Sequence, residues 1–340
     1  MPSRTATHKP SLRFAVLGAG SWGTALALVL ARNGHSVALW GHDAPTMAAM
    51  AAQHRNPRYL SDISLPPTIE PLADLATAVT AADHILITVP SAGFAEVITQ
   101  LADHAPAQAN IVWATKGLQA NGSGLLHELA QHWLPNHRLA VLSGPSFASE
   151  VARGLPTAVA LASSDADCAQ TLAAAFHDAR FRVYTSTDVV GVEVGGAVKN
   201  VLAIATGIAD GLALGANARA GLITRGLAEI RRLGVALGAA DTTLTGLAGM
   251  GDLILTCTDD QSRNRRMGLA LGQGQSITAA CAQINQVVEG LRTAGEVAVL
   301  AQRLGVDMPI CQAVTAVINA DLSPAQAAES LMQRTPTAEF

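Results

Sequence analysis

Lysine is nearly absent from this chain of 340 residues: Lys9, Lys116 and Lys199 are the only three, against nineteen arginines. Arginine stays charged at any working pH, whereas a desolvated lysine can titrate. Filling most cationic positions with arginine therefore singles out the two internal lysines for a task that arginine cannot do. Charge is sparse, at 14% of residues with a net charge of −4, which argues against nucleic acid as the main partner. The four cysteines, at 168, 257, 281 and 311, show neither metal-ligand spacing nor a secretory context. They read as free thiols in a reducing cytoplasm, and no metal site is expected. No run of 18 apolar residues occurs, because Lys199, Asn200 and Asp210 break the richest stretch; stable membrane insertion is not expected. Histidine is missing from the second half, all ten lying between His8 and His177. Acid–base chemistry located there would fall to lysine.

What is present starts with that apolar stretch, residues 189–214. Read as a helix it is apolar on nearly every side, the mark of a buried rod. Its three charges are Glu193, Lys199 and Asp210. The helical neighbours of Lys199, three and four positions away, are Gly195, Gly196, Leu202 and Ala203, so no acid on its own helix is placed to neutralise it. Glu193 points to another side, and Asp210 lies three turns off, roughly 16 Å along the axis. A lysine so placed needs a carboxylate from elsewhere in the chain, as a structural ion pair or as part of a site that uses its shifted pKa.

The first half alternates strand and helix patterns. A short apolar strand at 13–18 runs into GAGSWG (Gly18 to Gly23), then an amphipathic helix ending at Gly34. Strand, three spaced glycines and helix form the dinucleotide fingerprint in its required context. Gly18 permits the tight turn, Gly20 the approach of a pyrophosphate, and Gly23 close helix–strand packing. The next strand, at 36–40, ends in Gly41-His42-Asp43. An acid at that tip favours NAD and a cation tolerates NADP; with His42 first and Asp43 after it, NADP or NAD remains open, leaning to NADP. Further strands are expected at 84–89, 110–114, 138–142, 156–162 and 181–185, with helices at 71–81, 93–104, 123–133 and 165–179. The pattern predicts an α/β fold with a doubly wound, mostly parallel sheet. Lys116 directly follows a strand and should face the ligand crevice. The loop SGPSFASEV starts at Ser143, and Ser143 or Ser146 could cap a helix there.

After residue 188 strand patterns cease. The stretch GANARAGLITRGLAEIRRLG reads as an amphipathic helix whose charges, including an Arg225–Glu229 pair, form a solvated face. Asp252, after a glycine turn, is the first candidate for the carboxylate that Lys199 lacks locally. Ser262-Arg263-Asn264-Arg265-Arg266 is the densest basic cluster and suits a phosphate, with Arg265 and Arg266 readable as an exposed helix start. Glu289, the one acid of its loop, reads by default as solvated.

Taken together, GAGSWGTA, ATKGL, SGPSFASEVARGLPTA, GVEVGGAVKN, LITRGLAE, GLAGMGDLILTC, SRNRR and VVEG resemble the soluble, bacterial-type NAD(P)-dependent sn-glycerol-3-phosphate dehydrogenases. The resemblance spans roughly residues 13 to 312. It implies a Rossmann-like dinucleotide-binding domain (13–188) and an all-helical substrate-binding domain (189–340), working as a homodimer; the leader (1–12), with neither an apolar segment nor a cleavage site and longer than usual for the family, is expected to be flexible. It implies reversible reduction of dihydroxyacetone phosphate to glycerol 3-phosphate, feeding phospholipid synthesis. By position, Lys199 matches the proton donor/acceptor and Asp252 a substrate-site residue. Ser262, Arg263 and Asn264 match residues that hold substrate, with Asn200 beside Lys199 and Arg263 also near cofactor. Lys116, Gly144 and Ser146 match contacts in the crevice, while Ser21, Trp22, His42, Ala148, Val287 and Glu289 match cofactor contacts. Gly215-Ala216-Asn217 departs from the Gly-Asp-Asn expected there. Two other readings are a small hydroxy-acid dehydrogenase with a lysine acid/base and a dinucleotide sensor without chemistry.

Overall fold

The structure, a computed structural model, describes residues 11–335. The expected leader falls outside them apart from Ser11, which donates to the Gly34 carbonyl, and Leu12, whose amide donates to His35 Nδ1. The expected second domain likewise extends past the described residues at 336–340. Ten strands and sixteen α-helices follow in order. The first half holds β1 (Arg13–Leu17), α1 (Ser21–Arg32), β2 (Ser36–Trp40), α2 (Ala44–Gln53), β3 (Arg55–Asn56), β4 (Leu60–Ser64) and β5 (Ile69–Leu72). It continues with α3 (Leu75–Val79), β6 (His84–Ile87), α4 (Ser91–His104), β7 (Asn110–Trp113), α5 (Leu126–Trp133) and β8 (Leu139–Ser143). It ends with α6 (Ala148–Ala152), β9 (Thr157–Ala162), α7 (Ala166–Phe176) and β10 (Phe181–Ser186). Helices alone follow: α8 (Val189–Gly211), α9 (Gly215–Ala236), α10 (Asp241–Leu244), α11 (Asp252–Thr258) and α12 (Arg263–Gly272). The last are α13 (Ile277–Ile284), α14 (Glu289–Leu304), α15 (Pro309–Ile318) and α16 (Pro324–Met332).

Eight strands form one sheet in the order β10-β9-β8-β7-β6-β1-β2-β5. All pairings are parallel except β8 with β9, so the mostly parallel expectation holds with one reversal. Strands β6, β7 and β1 are buried along nearly their whole length, as sheets covered by helices on both faces require. The strand order changes direction at β1, between β2 and β6, which opens a crevice beyond their carboxyl ends.

Three stretches differ from the sequence reading. Residues 71–81 are not one helix: β5 takes Pro71 as an edge strand, and α3 begins only after Asp74 caps it at Thr77 N, 2.8 Å. Proline lacks the amide that an interior strand needs, so the sheet edge accommodates it. The stretch 44–64, left unassigned from sequence, forms α2 and the β3–β4 hairpin. Glu229 on α9 does not join a solvated face; it is buried and accepts from the amides of Ile310 and Cys311 at 2.6 and 3.1 Å. It thereby satisfies the free N–H groups at the start of α15.

Helix α8 is the rod around which the second half packs. By length and composition (mean hydropathy 1.5) it could cross a membrane, yet nearly all of it is buried inside the protein. Glycines set how closely its neighbours approach. A Cβ at Gly207 would collide with the Arg265 carbonyl, and one at Gly268 with the Ile204 carbonyl. Helices α8 and α12 therefore run backbone against backbone, which brings the start of α12 beside Lys199 and Asn200. Arg265 is buried rather than exposed, with Asp210 of α8 at 2.6 Å and Asp260 as carboxylate partners. Its guanidinium ties α12 to the far end of the rod.

Candidate active site

The crevice at the strand ends opens into a cleft of about 810 Å³ between the sheet and the helices. Its nucleotide side is built by the turn after β1. Gly18 sits at φ +123°, a backbone state that L side chains rarely adopt. A Cβ on Gly23 would strike the Gly18 carbonyl and Thr88 Oγ1, so only glycine lets α1 pack against the turn. Gly20 is the N-cap of α1 and offers no side-chain cap, and the first turn holds no acid. By contrast, Asp43, Asp74, Asp165, Asp188, Ser262, Ser276 and Ser323 each cap their helices with a side-chain oxygen. Helix α1 thus leaves its amides free where Ser21 and Trp22 line the cleft. That is the arrangement a phosphate needs, and the residues present fit a dinucleotide. His42 is exposed on the rim at the end of β2, while Asp43 is engaged in capping α2 through Thr46 N at 3.0 Å.

At the other end of the cleft one carboxylate holds both internal lysines. Asp252, 1% exposed, accepts from Lys199 Nζ at 2.5 Å and from Lys116 Nζ at 2.6 Å. Lys199 also donates to Thr256 Oγ1 at 2.8 Å, and Lys116 to the Gly144 carbonyl at 3.1 Å. Three elements converge here: the loop after β7, the middle of α8 and the start of α11. Burial pushes the Lys199 ammonium down to about 8; Asp252 opposes the fall and the Lys116 charge adds to it. Glu193, two turns earlier on α8, faces away and accepts from Trp113 Nε1 at 3.0 Å and from the His127 amide at 3.1 Å. His127 Nδ1 lies 2.6 Å from its other oxygen. Burial works against protonated His127, but its hydrogen bond to Glu193 and the Glu193 charge outweigh this and raise its pKa. This node locks α8 against β7 and α5, and so fixes the two lysine-bearing segments relative to each other.

Helix α12 supplies the third wall. Ser262 caps it at Arg265 N, 3.2 Å, and Asn264 donates to Asn200 Oδ1 at 2.9 Å while accepting from Gly290 N at 2.9 Å. Arg263 makes no ion pair among the described residues, although burial lowers its pKa and the Glu289 charge opposes that fall. Glu289 is not simply solvated: it is half-buried, accepts from Ser91 Oγ at 2.9 Å and is raised by burial, with Ser91 and Arg263 opposing the rise.

Of the residues singled out from sequence, the cleft brings together Gly18, Gly20, Ser21, Trp22, His42, Lys116, Ser146, Ala148, Lys199, Asn200, Ser262, Arg263, Asn264, Val287 and Glu289. Gly23, Gly144 and Asp252 stand behind its walls and shape it indirectly. The expected serine caps at the 143–149 loop are absent: Phe147 is the N-cap of α6, Ser146 Oγ donates to the Gly144 carbonyl, and buried Ser143 Oγ has no partner. Ala216 is exposed at the start of α9 and does not reach the cleft wall. Sequence reasoning passed over Thr256, Arg58 and Tyr59, which also line the cleft, and left Arg266 readable as an exposed helix start, whereas it lines the cleft too. Thr256 follows Asp252 by four residues and so shares its helix face. Arg266 follows Arg263 by three and so shares its helix face. No sequence signal marked Arg58 and Tyr59, which depend on where the β3–β4 hairpin folds back.

Known proteins of similar sequence point the same way. Residues 13–169 match the family model described as NAD-dependent glycerol-3-phosphate dehydrogenase N-terminus, and residues 188–329 that described as its C-terminus. A glycerol-3-phosphate dehydrogenase (NAD(P)+) of Halorhodospira halophila is 58% identical over 327 residues, covering 96% of this chain and 98% of the relative. One from Xanthomonas campestris pv. campestris is 52% identical over 332 residues, covering 97% of each chain. The crystal structure of glycerol-3-phosphate dehydrogenase from Coxiella burnetii superposes with a TM-score of 0.93 at 50% identity, over 95% of this chain and 99% of that one. A ketopantoate reductase from Ralstonia eutropha, at 18% identity and a TM-score of 0.59, shares the fold alone. With the uncapped glycine turn at one end of the cleft and the paired lysines at the other, this chain belongs to the NAD(P)-dependent glycerol-3-phosphate dehydrogenase family.

Proposed function

We propose that this protein reversibly reduces dihydroxyacetone phosphate to sn-glycerol 3-phosphate with NADPH or NADH, and that Lys199 is the proton donor and acceptor. The observation that carries the reading is a lysine lowered to about 8, buried in the cleft wall and held by Asp252. When bound, the nicotinamide supplies or takes the hydride. As negative charge grows on the substrate's central oxygen during reduction, protonated Lys199 stabilises it and then delivers a proton. In oxidation neutral Lys199 takes the hydroxyl proton. Asp252 and Thr256 fix the ammonium in place, and Lys116 adds positive charge that favours proton release by Lys199. Arg263 and Asn264, in the first turn of α12, hold the substrate phosphate and so orient the reacting carbon.

In this reading residues 13–188 bind the dinucleotide and 189–340 the substrate. The enzyme works as a cytoplasmic homodimer and supplies the glycerol backbone of phospholipids. The test is an absorbance assay of reduced-nicotinamide consumption with dihydroxyacetone phosphate, each cofactor in turn. Turnover with the phosphate and little with unphosphorylated dihydroxyacetone supports the assignment. Equal use of both, or oxidation driven only by a 2-keto acid, overturns it in favour of a hydroxy-acid dehydrogenase. Cofactor binding without turnover would indicate a sensor.

A further inference from the structure

Arg266 stands apart from the arginine next to it on α12. Its neighbour Arg265 is matched by two carboxylates, Asp210 and Asp260. Arg266 lines the cleft, has no ion-pair partner among the described residues, and keeps a buried Nε without any hydrogen-bond acceptor. A buried donor left unmade is costly, so an acceptor that completes it adds disproportionately to binding. Arg263, three residues earlier on the same face, is likewise without an ion pair and feels the charge of Arg266 and the nearby Tyr59 hydroxyl. Because α12 runs alongside α8 in the same direction, Arg266 lies one turn farther from Lys199 than Arg263 does.

The nucleotide half contributes an arginine of its own to the cleft lining. Arg58 stacks its guanidinium on the Tyr59 ring, 5.3 Å from the centroid, and both line the cleft. The hairpin that carries them is fastened beneath the glycine turn: Asn56 Nδ2 donates to the Ala19 carbonyl at 2.9 Å and to Thr24 Oγ1 at 2.9 Å. Arginines from two halves of the molecule thus line the same cleft as the uncapped start of α1, and among the described residues no carboxylate is ion-paired with Arg58, Arg263 or Arg266. Guanidinium forks of this kind match phosphate oxygens in pairs.

We propose that Arg266 binds a phosphate group of the dinucleotide cofactor, acting across the cleft from Arg58 and separately from the substrate grip of Arg263. Bound cofactor phosphate then bridges the helical half to the nucleotide half, so that cofactor affinity depends on a residue of the substrate-binding side. The inference rests on the dinucleotide-binding reading above.

The experiment titrates NADPH and NADH into wild type, R266Q and R266K, following quenching of Trp22 and Trp40, which line the cleft. KM for dihydroxyacetone phosphate is measured in parallel. R266Q should weaken reduced-cofactor binding by about 10-fold or more, the usual scale for losing a charged hydrogen bond, and make the remaining affinity less sensitive to added salt. R266K, which keeps the charge, should recover most of that salt sensitivity. Cofactor dissociation constants within two-fold of wild type in R266Q overturn the proposal while leaving the enzyme assignment standing. A loss confined to KM for dihydroxyacetone phosphate also overturns it, moving Arg266 to the substrate phosphate. If wild type itself binds neither cofactor, the underlying reading fails instead.

Discussion

Replacing Lys199 by methionine should separate the cost of this site from its use. The ammonium's pKa falls from 10.5 in the free side chain to about 8 in the cleft wall, with burial as the chief cause. That fall corresponds to about 3 kcal/mol against the charged form. A group whose folded pKa lies below its unfolded value costs stability in full below the folded pKa. The cost disappears as pH rises toward the unfolded pKa, so here the window runs from about 8 to 10.5. Removing Lys199 leaves Asp252 paired with Lys116 at 2.6 Å; two cations and one anion become one of each, and no buried charge is orphaned. Lys199→Met should therefore match wild type or exceed it by up to about 3 kcal/mol at pH 7. It should also lose roughly 100-fold or more in turnover. Guanidinium denaturation of both proteins from pH 7 to 10 checks this: the mutant's advantage should shrink across the window as wild type sheds its buried charge. A mutant less stable than wild type by more than about 1 kcal/mol at pH 7, or a difference flat across that range, would refute the reasoning.

Reduction of the ketone needs Lys199 protonated, so its rate at saturating substrate should fall as pH rises through about 8, while oxidation of the alcohol should rise over the same interval. Parallel pH profiles in the two directions would argue against a single lysine acid/base. Arg263→Ala should cost about 1.5–3 kcal/mol in kcat/KM for the phosphorylated substrate, with little change for dihydroxyacetone itself; steady-state kinetics with both compounds decides it. Gly268→Ala puts a Cβ against the Ile204 carbonyl and should lower stability by about 1–3 kcal/mol. Because α12 is pushed off α8, KM for substrate should rise as well. Unchanged melting and kinetics would mean the two helices are not held by backbone contact.

Periodicity carried the alternating half of the fold because β1, β6 and β7 are short, apolar and bounded by turn residues. It failed at 69–72, where a strand of four residues was read as part of a helix, and it left the two-residue β3 unassigned, because so few positions cannot show a period. The site was legible where residue type was scarce: three lysines among 340 residues made Lys116 and Lys199 conspicuous before any coordinates. Charged residues were less readable, since Glu229, Arg265 and Glu289 had looked like solvated groups. Their burial comes from partners distant in the chain, such as Ile310 for Glu229 and Asp210 for Arg265.

By itself the sequence determined the local devices. These are a glycine turn that only a phosphate-binding strand–helix junction needs, a buried rod bearing an unneutralised lysine, and a basic helix start, because each depends on residues within a few positions of one another. Tertiary structure decided that Asp252 does answer Lys199, that Lys116 shares it, and that Arg58 and Arg266 line one cleft. Those pairings join residues 53, 136 and 208 positions apart, and such contacts arise only once helix packing and sheet order have brought the segments together.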